Sequence, residues 1–144
     1  MRSKAPLVLM EQMVMLLVFA LAAALCLQAF AKSDSISKRG EERDRAVILC
    51  QSAAEVIRSC GGEPARALSS AAEQLGCHYD QGLLWADYDE SWNSGSDGVY
   101  RLTAQGIPND TPGLYSAQVA VDREGETLFE ITVAWQGEGI AYAQ

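Results

Sequence analysis

The residues richest in chemistry lie in one run, Asp87-Tyr88-Asp89-Glu90-Ser91-Trp92-Asn93-Ser94-Gly95-Ser96-Asp97-Gly98. Oxygen donors at alternate positions (Asp87, Asp89, Ser91 and Asn93) have the spacing of a calcium-binding loop. Trp92 stands where such a loop turns on Gly, and Gly98 stands where it closes on a bidentate Glu, so the run is no EF-hand. Asp87, Asp89, Asn93 and Asp97 are left as a calcium candidate of another kind, against the simpler expectation of a solvated acidic turn.

Other chemistry is sparse. The one histidine, His78, has no second cluster of ligands around it in sequence, and a surface or core role is expected. There is no Gly-x-Ser-x-Gly elbow, no glycine-rich phosphate loop ahead of a helix and no Cys-x-x-Cys. The expectation is a protein that is not an enzyme and that carries no cofactor. Of the four cysteines, Cys26 lies in an apolar run and reads as a small hydrophobe. Cys50 and Cys60 fall on one predicted helix about 15 Å apart, too far for a disulfide. Cys60 and Cys77 flank a helix-loop segment and are the pair an oxidising compartment would join, the alternative being three buried or free thiols. Trp85, Trp92 and Trp135 are either a binding platform or the core and rim aromatics of a small sheet.

The remaining reactive group is Glu11, at the N-terminal edge of an apolar stretch from Leu7 to Ala31. Met13 to Ala31 is interrupted only by Gln28, and its 19 residues would make about 28 Å of helix, close to the ~30 Å hydrocarbon core of a bilayer. A carboxylate deep in that core is functional by default. One in the headgroup zone, with the span starting at Met13, needs no such role.

The elements that must position these groups follow in order. Residues 1–6 are a short basic leader and 7–31 a transmembrane helix. Residues 32–62 continue the helix as an amphipathic segment, in which Ala46, Val47, Cys50, Ala53, Ala54, Ile57 and Cys60 recur at spacings of three and four. Gly40 weakens the middle and is a candidate bend. Cys60-Gly61-Gly62 stops the helix, and Glu63-Pro64 opens another, with Ala65, Leu68, Ala72 and Leu75 as its apolar stripe and Gly76 as its end. Beyond Cys77 the period moves towards two. Leu83–Tyr88, Val99–Thr103, Leu114–Val121 and Thr127–Trp135 read as four antiparallel strands, the last two joined through Asp122–Glu126 with Gly125 where positive φ is needed. Residues 63–144 thus form a helix plus sheet domain. The fold class is α+β, a long N-terminal helix packed on a small antiparallel sheet.

Charge narrows the partners. From Glu63 onward there are 13 acidic and three basic residues, while the first 62 residues carry six acids and eight bases. An acidic domain so poor in bases repels a phosphate backbone, which argues against direct nucleic-acid binding.

A short basic leader, a few apolar residues, a glutamate, and then a long apolar helix running into an amphipathic one resembles a type IV pilin or type II secretion pseudopilin. The resemblance implies a pilin-like fold and a chain that assembles through its apolar helix. It implies cutting by a leader peptidase between Pro6 and Leu7, and pairing of Glu11 with the free amine of a neighbouring subunit, which sets the register. The partners would be other pilin or pseudopilin subunits and the inner-membrane assembly machinery. The N-terminus would be cytoplasmic and the C-terminal domain extracytoplasmic. Pro6 stands where the family has Gly or Ala, which suits a divergent minor subunit. Two other readings stay open. One is a single-pass anchored protein with an outer binding domain. The other is a secreted domain released after Ala29-Phe30-Ala31. Two bases precede the span and five (Lys32, Lys38, Arg39, Arg43 and Arg45) follow it, so the charge count alone leans against export of the C-terminal domain.

Overall fold

A computed structural model describes residues 5–95 and 98–137. They fall into two compact units, Met1–Glu41 and Glu42–Gln144. Helix α1, Ala5–Cys60, contributes to both. With the second helix and the sheet, the protein is α+β, as its periodicities require.

In the first unit the apolar side chains of α1 point in every direction, and the large ones from Leu7 to Phe30 are exposed. None of the apolar window of this helix is buried inside the protein. The core helix of a soluble protein would be mostly covered, so this stretch is not one. It is long and apolar enough to cross a membrane. The polar turns that follow carry an i,i+4 ion pair, Lys38 to Asp34 at 3.0 Å. Gly40 lies within the helix, and nothing stands within 4 Å of where its Cβ would be, so packing does not demand glycine there.

The second unit is two helices laid on one face of a five-stranded sheet. The strands are β1 His78–Asp80, β2 Leu83–Tyr88, β3 Tyr100–Ile107, β4 Leu114–Arg123 and β5 Glu126–Gln136. They run antiparallel in the order β1-β2-β3-β4-β5, a plain meander. The sequence pattern contains four of them; β1 is the addition. It has only three residues and turns into β2 through Gln81-Gly82, both at positive φ (48° and 86°), the geometry of a two-residue hairpin. The β4–β5 connection is the same device at Glu124-Gly125 (φ 50° and 89°), with a register shift just beyond it at Val121/Asp122.

From Glu42 to Cys60, α1 buries Ala46, Cys50, Ala53, Ala54 and Ile57, while Val47 and Cys60 of the predicted face are half-covered. Helix α2, Pro64–Leu75, buries Ala67, Leu68, Ala71 and Ala72. The predicted stripe is thereby corrected. Ala65 is exposed and Leu75 half-buried, while Ala67 and Ala71, each one position N-terminal to the expected Leu68 and Ala72, are covered. Gly76 (φ 67°) ends α2, and the Cys77 N–H donates to the Ala72 carbonyl at 2.9 Å. Alanines on both helix faces meet Leu84, Leu102, Ala104, Ala117, Val119 and Val121 from the sheet. Such short side chains let helix backbone lie close to the strands, and the few large ones, Ile57 and Leu68 among them, fill what is left. Trp135 closes the far end of this core. Its ring is 5 % exposed, and its indole N–H donates to the Gly62 carbonyl in the α1–α2 connection at 2.8 Å.

Ile57 has no exposed surface, and Ile57→Ala is expected to destabilise the second unit by about 2–5 kcal/mol. Ile48, 66 % exposed on the same helix, should tolerate alanine within about 0.5 kcal/mol. Urea unfolding followed by tryptophan fluorescence compares the two.

Candidate functional site

The first candidate site lies in the first unit. Pro6, Leu7 and Glu11 occupy the opening turns of α1. Leu7 and Glu11 are four residues apart on a helix, hence on one face one turn from each other. Leu7 is 70 % exposed and Glu11 is exposed as well. The side of the helix that carries the carboxylate is therefore continuous with the exposed apolar surface, and Glu11 is its only acid before Asp34.

The second candidate is the acidic turn after β2. Two of its carboxylates, Asp87 and Asp89, are committed to partners inside the domain. Asp87 pairs across the sheet with Arg101, its register partner, accepting from Nε at 2.6 Å and from Nη2 at 3.1 Å. Asp89 organises the turn. Its Oδ1 accepts the backbone N–H groups of Ser91 (2.8 Å) and Asn93 (2.9 Å), and its Oδ2 accepts the Asn93 side-chain amide at 3.3 Å. The hydrogen bonds from Asn93, foremost the one from its backbone N–H, hold the Asp89 carboxyl below its ordinary pKa. Asp97 lies outside the described residues. Among the described residues no group of three or more His, Cys, Asp and Glu side chains is placed to hold a metal ion. The turn is thus an Asx-capped loop, closed by Gly95 N–H to the Asp87 carbonyl at 3.0 Å.

Trp92 in this turn has φ 64°, an unusual conformation for a bulky residue. What holds it is a stack. The Trp92 ring lies 4.0 Å from that of Tyr100, nearly parallel at 13°. The Arg123 guanidinium stands 5.6 Å from the Tyr100 ring centre, and Arg123 is ion-paired with Glu42 of α1. Burial, reinforced by the Glu42 carboxylate, raises the Tyr100 pKa. Four side chains from a loop, two strands and a helix thus form one pile, which secures α1 where it enters the second unit. Sequence reasoning did not find it, because Glu42 and Arg123 are 81 residues apart and carry no motif.

The cysteines are all free thiols. Cys50 is fully buried, and its Sγ lies 3.8 Å from the Phe129 carbonyl. Burial, with the charge of Asp122 adding to it, pushes its pKa up to about 12, so it stays a protonated, unreactive thiol at neutral pH. Cys60 and Cys77 both pack at the edge of the core. The Gln74 side-chain amide donates to the Cys60 Sγ at 3.4 Å, and burial raises the Cys77 pKa. His78 stacks on Trp85 with ring centres 5.5 Å apart.

The depressed Asp89 pKa makes a pH prediction. Its hydrogen bonds favour the charged form in the folded state, so their contribution is complete above the ordinary carboxylate pKa of about 4 and is lost as pH falls through the lower folded value. Asp89→Ala should remove that acid-side step from the urea midpoint measured against pH, with the rest of the profile unchanged. Comparison of the chain with protein-family models, with curated proteins and with solved structures returns no match.

Proposed function

We propose that the chain is a pilin-like subunit, a minor component of a type IV pilus, competence or type II secretion-type filament, that assembles through its N-terminal helix. The observation that carries this reading is the exposed apolar surface of α1 from Leu7 to Phe30, with the single carboxylate Glu11 near its start. Such a surface needs lipid or other apolar helices around it. A carboxylate in that setting needs a partner, since burying it unpaired costs several kcal/mol, roughly 2.5–3.5 on insertion scales. In this reading a leader peptidase cuts between Pro6 and Leu7, and Glu11 meets the new amine of a neighbouring subunit. The protein is not an enzyme. Its partners are like subunits and the inner-membrane assembly machinery, with the acidic domain on the outer side.

A second reading draws on Pro6. Proline is a poor fit to a protease subsite that takes Gly or Ala, and an uncut chain would be a single-pass anchor for a small outer domain.

Mass spectrometry of the N-terminus, on protein from its own host, separates the two. A mature chain starting at Leu7 is expected for the filament subunit. An intact N-terminus supports the anchor, and a start at Lys32 would mean a discarded signal and would defeat both. For the filament subunit, Glu11→Ala should abolish incorporation into sheared or cross-linked filaments while the protein still accumulates in the membrane. Normal incorporation of that variant would rule out the register role.

A further inference from the structure

The three tryptophans have separate fates. Trp135 is in the core, and Trp92 is held in the stack on Tyr100. Trp85 lies on the other face of the sheet. Its neighbours Leu84 and Ala86 are buried towards the helices, so alternation turns Trp85 away from them. There it borders an open recess of about 500 Å³ lined by Asp80, Gln81, Leu83, Trp85, Arg101 and Thr103.

The lining has a definite chemistry. Its apolar part is supplied by the indole and by Leu83. Its polar part offers a carboxylate acceptor from Asp80, an amide that both donates and accepts from Gln81, a hydroxyl from Thr103 and N–H donors from Arg101. The Arg101 group is held by Asp87, which takes its Nε and Nη2 and offsets its charge. His78, stacked on the indole and paired with it in register, steadies the ring.

From this arrangement we infer that the recess at Trp85 is a binding site for a neutral saccharide chain. A pyranose has one apolar C–H face, which stacks on an indole, and a rim of hydroxyls that need mixed donors and acceptors. Charge selects against an anionic ligand, which would face Asp80 on a domain with 13 acids and three bases from Glu63 onward, while the one cation in the lining is already neutralised. The site belongs wholly to the second unit and is independent of how the N-terminal helix is processed.

The test is a titration of the full chain, held in a zwitterionic, sugar-free detergent, with cellohexaose and with chitohexaose in the millimolar range. The indole N–H resonances are followed by NMR. A saturable shift of the Trp85 resonance with at least one of the two, and no shift of Trp135, is expected. Trp85→Ala should weaken binding by about tenfold or more, and Trp85→Phe by less. Thr103→Val keeps the strand and its shape while removing a lining hydroxyl, and should also weaken binding, which guards against a Trp85 variant that fails to fold. The inference is overturned if neither hexasaccharide gives a saturable shift, if Trp85→Ala binds as well as the parent, or if tetramethylammonium or hexagalacturonate binds in their place.

Discussion

The second unit depends on burying one face of α1, from Ala46 to Ile57, against a sheet whose other helix, α2, reaches β4 only in part. A meander of five strands has a single inner face, and α2 is only 12 residues long. Twelve residues span about 18 Å, and its contacts fall mainly on β1 to β3. Phe129, Ile131, Val133 and Trp135 of β5 would otherwise face water along with the inner side of β4. The cysteine and alanines of α1 are what make the close approach feasible. A helix with larger side chains at those positions would stand further from the strands and leave the valines of β4 half-covered. The Glu42–Arg123–Tyr100–Trp92 pile then fixes the N-terminal end of this contact, and the Trp135–Gly62 hydrogen bond fixes the other.

Much of this was legible in the sequence because it is periodic. The all-round apolar run after Met13 and the one-sided pattern from Ala46 are different signals on one helix, and each survives in the structure. The glycines at 76 and 125 mark a helix end and a hairpin for the same conformational reason, a positive φ. What escaped was local or distant. Strand β1 is too short for a period, and its turn is Gln-Gly rather than the Asn-Gly or Asp-Gly pair that announces such hairpins. In α2 the small residues fall on two sides, Ala65 with Ala72 and Ala67 with Ala71, so composition alone does not choose the covered arc, and Ala65 proves to be outside it. In Leu83-Leu84-Trp85-Ala86 both faces of the strand are apolar, so alternation cannot say which tryptophan is left at the surface until neighbouring strands are in register. The ion pair of Glu42 with Arg123 depends wholly on tertiary structure.

The acidic turn shows why spacing is an incomplete guide to a site. Alternate oxygen donors suggest a cation, but the same short side chains are also the residues that cap turns by accepting backbone N–H groups. At Asp89 the carboxylate accepts two backbone N–H groups and one side-chain amide, and at Asp87 a guanidinium occupies both oxygens. Turn and sheet are thereby tied together. Gly98 belongs to the same economy of space, because a Cβ there would stand 2.5 Å from that of Asp87.

Charge is unevenly divided along the chain. The acids are concentrated in the second unit, where excess charge of one sign favours solubility. In the apolar stretch of the first unit a single carboxylate, Glu11, is retained. In a hydrocarbon setting that group is costly, and at the first turns of a helix it gains from the unpaired N–H groups and the positive end of the dipole. Those gains are of the order of 0.3–1 kcal/mol, below the roughly 2.5–3.5 kcal/mol cost of a charge at the bilayer centre. Helix position alone therefore does not account for a charged Glu11 in lipid. Either it stays at headgroup depth, where the cost falls away, or a positive group from another chain meets it. In the filament proposed above, that group would be the Leu7 amine of a neighbouring subunit, which exists only if the chain is cut ahead of Leu7. Processing and the role of Glu11 are thus one question of physical chemistry.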